Sequence, residues 1–431
     1  MEEQVRLSYI EKLRLFKKDA KLYIASTASG AFSTGMSAVI FNLYLTEAGF
    51  IEDFIGFFLS ISMFATAGVA FLAGMVTDRS SRKTIILGAN VITFFALAVQ
   101  YTALEPAGLL WSQLFLGLSS AFTQVAWFPY ITDLSTSEER AHLFAFSSGV
   151  SLIAVLFGNL LGGFLPGLIK AVQGAGTELV VAYRFALWLS LIPQAAAIMM
   201  ILPMKHDRTL GTRTHLDLGN VKHWNFIGKY ATTVTIVGLG AGMIVVFFNL
   251  YFQEVFEVPP HMIGVIFGIN TVVLASGNFL APAMADRIGK VRTVVFTEAM
   301  SIPFLLMLSW VPREYLYLAV TAYVTRNVLM NMAGPVANAF FMEGLTREER
   351  ATAVGIVRTG DSFVRGIAAN IGGMLLAAGL YRVPYLLVSG LYVLSVVLFY
   401  SFFKQKESEM RALRKAEVVQ EAKPEESEGI T

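Results

Sequence analysis

The chain has no cysteine among its 431 residues, so no disulfide can brace it and cysteine usage says nothing about redox compartment. Charge is scarce: Asp, Glu, Lys and Arg make up 15% of the residues, against about 25% in an ordinary soluble domain. A formal net charge of +2 leaves no basic surplus of the kind that grips nucleic acid. The five histidines lie in or near loops, and no His, Asp or Glu spacing suggests a metal site. Neither a metal nor a cofactor is expected. A glycine-rich loop closed by Lys and Ser/Thr is missing, so ATP is not expected to power the chain directly. No nucleophile–base constellation argues for an enzyme, and no charged ring or filter sequence argues for a channel.

What remains is hydrophobic. Apolar and aromatic residues form 55% of the chain, gathered in runs long enough to cross a ~30 Å hydrocarbon core. They fall near 22–46, 53–77, 84–104, 108–133, 142–168, 185–203, 230–253, 260–285, 293–311, 314–342, 351–379 and 383–403. In lipid each segment must satisfy its own backbone groups, which requires helices. The fold class is therefore an all-α integral membrane protein with twelve transmembrane helices.

The twelve divide into two sixes because the sequence repeats itself. Phe41-Asn42-Leu43-Tyr44-Leu45 returns as Phe248-Asn249-Leu250-Tyr251-Phe252, about 208 positions later. Gly35-Met36 matches Gly242-Met243, Ile55-Gly56 matches Ile263-Gly264, and Gly162-Gly163 matches Gly372-Gly373. Tyr183-Arg184 and Tyr381-Arg382 close the series after a longer loop in the first copy. Two pseudo-symmetric six-helix bundles follow, at 22–203 and 230–403, joined by a polar linker at 204–229.

Basic residues crowd the N-terminus, the even loops and the C-terminus. The odd loops hold only Lys170, Arg184, Arg313 and Arg382. The positive-inside rule then places both termini in the cytoplasm of a multi-pass protein of the cell membrane. Residues 1–21 mix Arg6, Lys12 and Arg14 with Leu7, Ile10 and Leu13, the pattern of an amphipathic segment on the membrane surface. They lack the uninterrupted apolar stretch and cleavage site of a secretory signal. Residues 404–431 read as a charged cytoplasmic tail, a short helix fading into disorder.

Between the second and third runs stands Gly74-Met75-Val76-Thr77-Asp78-Arg79-Ser80-Ser81-Arg82-Lys83. A weaker copy, Asp286-Arg287-Ile288-Gly289-Lys290, occupies the matching loop of the second half. This loop resembles the signature of the major facilitator superfamily, and the resemblance covers the twelve runs. Two departures stand out: Ser81 replaces the usual glycine, and Pro282 replaces the leading glycine of the second copy. The resemblance implies alternating access between two halves, with Gly74, Asp78, Arg79, Arg82, Lys83, Asp286 and Arg287 as a cytoplasmic latch. Physically, Asp78 suits the positive N-terminal end of a helix in the other half. In the fifth run Gly149, Gly158 and Gly162 echo a glycine motif of family exporters, although close helix packing explains them more simply.

The chemistry is concentrated in the second half. Arg358, Asp361 and Arg365 are spaced i, i+3, i+7 on one helical face, and Arg326 lies at comparable depth in the tenth run. Ionised groups at that depth require a partner or a watery cavity. The first-half counterparts are the uncharged Ser148, Ser151 and Val155, so a scaffold does not need the charges. Arg326, Arg358 and Arg365 are candidate anion-binding residues, since guanidinium forks suit carboxylate and phosphate. A network holding helices together is the competing reading. Asn42, Gln124, Asn249, Asn327 and Asn331 are polar candidates on spans that the resemblance places at the cavity, and for Asn42 and Asn249 a scaffold role is an equal reading. Asp361 is the candidate proton-coupling carboxylate. Asp133 and Glu343 look like capping or gate carboxylates. The expected function is secondary transport of a small solute, leaning to an organic anion or anionic amphiphile, by a monomer amid membrane lipids with a proton as possible co-substrate. Export of hydrophobic compounds and a non-transporting membrane sensor are the alternatives.

Overall fold

The computed structural model describes residues 16–136, 139–174, 176–205, 222–346 and 349–421. Six helices fill the first half: α1 (Lys18–Glu47), α2 (Glu52–Arg79), α3 (Arg82–Thr102), α4 (Pro106–Asp133), α5 (Arg140–Gln173) and α6 (Leu179–Ile201). In the second half, α7 runs as Trp224–Ile244, a 3-10 turn at Val245–Phe247, and Phe248–Phe256. Then come α8 (Pro260–Ile288), α9 (Lys290–Trp310), α10 (Leu316–Met332 continued by Gly334–Glu343), α11 (Arg350–Ala377) and α12 (Val383–Glu421).

Among the described residues, ten helices are long and apolar enough to span a membrane. The two that fall short are α10 and α11. Pro335 lacks the N–H that would reach the Asn331 carbonyl, and with Gly334 it breaks α10 at Ala333. The charges Arg358, Asp361 and Arg365 depress the hydropathy of α11. Both shortfalls fall where the candidate site lies.

Several helices outrun their apolar runs. α6 begins at Leu179 and α7 at Trp224, not at 185 and 230. Arg184, assigned above to a loop, therefore sits in α6 with its Nε on the Tyr44 hydroxyl at 3.3 Å, and Lys170 lies in the last turn of α5. Membrane-interface residues are polar enough to end an apolar window, but their backbones still form helical bonds. At the other end of the chain, the tail as far as Glu421 is a continuation of α12. Residues 1–15 of the amphipathic segment, most of the linker (206–221) and residues 422–431 lie outside the described residues.

The repeat is visible in helix contacts. A Cβ on Gly35 of α1 would lie 2.6 Å from the Val155 carbonyl of α5, and one on Gly242 of α7 would lie 2.6 Å from the Arg365 carbonyl of α11. A Cβ on Gly162 would lie 2.3 Å from the Met36 carbonyl, and one on Gly372 would lie 2.4 Å from that of Met243. Small residues permit this closeness in both copies.

The halves join at the end away from the termini. There Tyr381 donates to Glu52 at 2.8 Å, and Gly56 of α2 packs on Gly373 of α11 while Gly163 of α5 packs on Gly264 of α8. Contact continues to about mid-depth, where Phe64 meets Phe363 and Asn159 approaches Thr271 at 3.4 Å. One apolar core runs from the second half into the far end of the first, through Val39, Leu43, Tyr44 and Phe58. A separate core around Tyr23, Ile86, Tyr130 and Met204 holds the first half at the end carrying the termini.

Candidate functional site

The three intramembrane arginines are differently engaged. Arg326 is 1% exposed. Its Nη2 donates to the Tyr392 hydroxyl at 2.6 Å, and its guanidinium lies over the Phe248 and Tyr392 rings at 5.8 and 5.5 Å. Nε and Nη1 have no hydrogen-bond partner among the described residues. Aromatic faces stabilise a cation that is cut off from water. Arg365 is half-buried and donates from Nε to Asp361 Oδ2 at 2.9 Å. Arg358 is exposed on the same face, two turns nearer the termini, and forms no ion pair among the described residues. Tyr230 lies within electrostatic reach of both Arg358 and Glu298.

Asp361 is seated by a residue that carries no chemistry. Its Oδ1 is buried without a partner, pressed against α7 where a Cβ on Gly238 would lie 2.2 Å away. The first-half counterpart of Gly238 is Ala31, opposite Ser151. That paired difference between repeats, a methyl removed where a carboxylate is added, is the signal by which the sequence reveals Gly238.

A second polar group occupies α8 and α10. Asn327 donates to Asn270 Oδ1 at 2.8 Å, and Asn331 donates to both the backbone oxygen and Oδ1 of Asn327, at 2.7 and 3.0 Å. Asn270 was not among the sequence candidates. Its counterpart Ser62 packs directly on Gly117 of α4, where a Cβ would lie 2.3 Å from the Ser62 carbonyl.

Other candidates are placed elsewhere. Asn42 and Asn249 bond to each other across the halves at 3.1 Å. Asn42 also donates to the Val246 carbonyl at 2.7 Å, and Asn249 to that of Val39 at 3.2 Å. Both are buried, so they join helices rather than face a cavity. Gln124 is exposed on α4 and donates to Ser120 at 2.9 Å.

In the signature loop, Arg82 pairs with Asp133 within its own half, and Lys290 with Glu343 in the equivalent place. Lys83 is buried and donates to the carbonyls of Leu202, at 2.8 Å, and Met204, which end α6. That is a favourable place for a cation. Ser81 has φ −61 and its counterpart Gly289 φ +103, so the first loop turns without the glycine that the second requires. Asp286 and Arg287 are exposed and form no ion pair among the described residues. The Asp78 and Arg79 side chains lie outside what the structure describes, and Gly74 has open space around it.

Two similar bundles of six helices in the same orientation, closed against each other at one end and with Arg326, Asp361 and Arg365 set within the second, define a multi-pass membrane fold. The profile of the Major Facilitator Superfamily matches residues 23–227 and again 230–426, and the chain belongs to that family. An uncharacterized MFS-type transporter of Bacillus subtilis (strain 168), YdgK, is 22% identical over 59% of this chain, which spans 63% of that relative's length. Among solved structures, a mutant of the nucleoside transporter NupG superposes with a TM-score of 0.73 at 13% identity, covering 90% of this chain and 100% of that one. A bacterial homolog of the human lysosomal transporter Spinster, inward-facing and unoccupied, gives 0.69 at 14% identity over 91% and 97%. At such identities the likeness is one of fold.

Proposed function

We propose that the protein is a secondary active transporter of a small organic anion, working by alternating access, with Arg358 as the cation that receives the substrate. The observation that carries this is the unequal engagement of the arginines: Arg326 is sealed among aromatic rings and Arg365 is held by Asp361, while Arg358 alone is exposed without an ion pair. An exposed guanidinium with no carboxylate of its own among the described residues can take a carboxylate or phosphate from solution. Asp361, with one oxygen bonded and one buried and bare, is the coupling carboxylate that takes up a proton when Arg365 turns to substrate.

With both termini in the cytoplasm of the cell membrane, junction at the far end makes this the inward-facing state. The latch around Asp78 then closes only in the other state. The test is uptake into proteoliposomes with anionic, neutral and cationic solutes. Arg358→Gln is expected to abolish anion flux while the protein keeps its melting temperature. Flux confined to hydrophobic cations and indifferent to Arg358→Gln would make the protein an exporter of such compounds, and binding without flux would make it a sensor.

A further inference from the structure

The amides of Asn270, Asn327 and Asn331 form a chain whose direction is fixed by the backbone. An asparagine amide can be turned end for end, so its orientation has to be argued from its partners. Here the Asn327 backbone carbonyl, an acceptor and nothing else, faces Asn331 at 2.7 Å. Asn331 must therefore present its NH2, whose second hydrogen meets Asn327 Oδ1 at 3.0 Å. Asn327 must then present its own NH2 to Asn270 Oδ1. The chain ends with a donor group, Nδ2 of Asn270, and an acceptor, Oδ1 of Asn331. Neither has a partner among the described residues, and Asn331 is exposed.

The other half shows that this arrangement is not needed to hold two such helices together. At the equivalent crossing α2 and α4 pack backbone on backbone at Gly117 and Ser62, and Thr66 donates to the Gly117 carbonyl at 2.9 Å. In α8 and α10 the same two positions carry amides. Asn327 lies ~24 Å and Asn331 ~18 Å above the end of α10, taking 1.5 Å per residue. Arg365, at ~22 Å above the start of α11, shares that depth. Next to Asn270, Thr271 reaches Asn159 of the opposite half, so a ligand on the amide chain sits beside the joint between the halves.

We infer that Asn270, Asn327 and Asn331 form a neutral hydrogen-bonding subsite, and that the solute is an organic acid bearing hydroxyl or amide groups rather than an amphiphile. A hydroxyl both donates and accepts, which suits a chain with one bare donor end and one bare acceptor end. The inference rests on the anion-transport reading above for the charged end of the solute.

The experiment measures thermal stabilisation of the purified full-length protein by matched acids: gluconate against hexanoate, glycerate against propionate, glucuronate against cyclohexanecarboxylate. Sorbitol serves as the uncharged polyol. Binding to the native state raises apparent stability by mass action. The hydroxylated member of at least one pair is expected to bind about tenfold tighter, the worth of one or two net hydrogen bonds. Asn331→Ala, at an exposed position, and Asn270→Ser, which installs the first-half residue, should bring the pair within about twofold. The unsubstituted acid should bind these variants as before. No hydroxylated acid outcompeting its partner, or a preference that survives both variants, overturns the subsite. A preference that Arg358→Gln leaves intact, together with binding of sorbitol, upholds the subsite and overturns the anion reading. Loss of both members of a pair in Arg358→Gln upholds the anion reading whichever way the variants fall.

Discussion

Gly238 and Asp361 are coupled by space as much as by charge. A Cβ at Gly238 would lie 2.2 Å from Asp361 Oδ1, nearer than any two such atoms approach, so Gly238→Ala must displace the carboxylate and strain its bond to Arg365. Overpacking of this kind costs about 1–3 kcal/mol, and a melting temperature several degrees below wild type is the expected reading. Asp361→Asn keeps the shape and removes the charge. It should leave melting nearly unchanged and flatten the pH dependence of uptake. If Gly238→Ala melted like wild type, Asp361 would not be packed as described. If uptake in Asp361→Asn kept its pH profile, the proton would be carried elsewhere. The sequence discloses Asp361 because an intramembrane carboxylate stands out against apolar neighbours. Its seat was hidden because a glycine in a helix has many uses, and only the duplicate with Ala31 makes this one specific. Asn270 was hidden for a similar reason: it counts as a candidate only through Asn327, a contact between helices far apart in the chain.

At the scale of helices, both ends of the linker are held by charged side chains. Lys83 at the start of α3 binds the carbonyls that end α6, and the amide of Lys205 reaches Asp19 at 3.2 Å. At the far end Glu349, 1% exposed at the head of α11, accepts from the amides of Lys222 and His223, from Thr346, and from His223 Nδ1 at 2.8 Å. Burial by itself would raise the Glu349 pKa, but those hydrogen bonds hold it down at about 2. A carboxyl depressed in the folded state adds stability that is complete above its ordinary value of 4.5 and is lost as pH falls towards 2. Glu349→Gln should therefore melt lower than wild type at neutral pH, with the gap narrowing as pH is lowered through that window. A gap that does not change with pH would mean the carboxylate's charge contributes nothing. Helix existence was legible throughout, since a run of twenty apolar residues has little choice in lipid. Helix ends were less so, because Tyr183, Arg184 and the stretch from Trp224 to Lys229 are helical yet too polar to extend an apolar window.

For the whole molecule, the inter-half contacts imply a balance that can be tipped from either side. Tyr381, between α11 and α12, donates to Glu52 across the junction, and burial followed by the nearby Glu52 carboxylate pushes its hydroxyl pKa up, so it stays a donor at any working pH. Removing that hydroxyl in Tyr381→Phe weakens only the state in which the far end is closed. One hydrogen bond is worth about 1 kcal/mol net, enough to move the ratio of the two states roughly fivefold towards opening at the far end. Asp78→Asn acts on the opposite face: if Asp78 latches the terminal end in the other state, its loss favours the arrangement described here by a similar factor. The readout is labelling of single cysteines introduced one at a time near Asn338, towards the termini, and near Leu380, at the far end, in a chain that has none of its own. Tyr381→Phe should raise labelling near Leu380 and lower it near Asn338, Asp78→Asn should do the reverse, and the double variant should fall between them because the sites are far apart and their effects add. Labelling that shifts the same way in both variants would mean the two ends do not open in alternation.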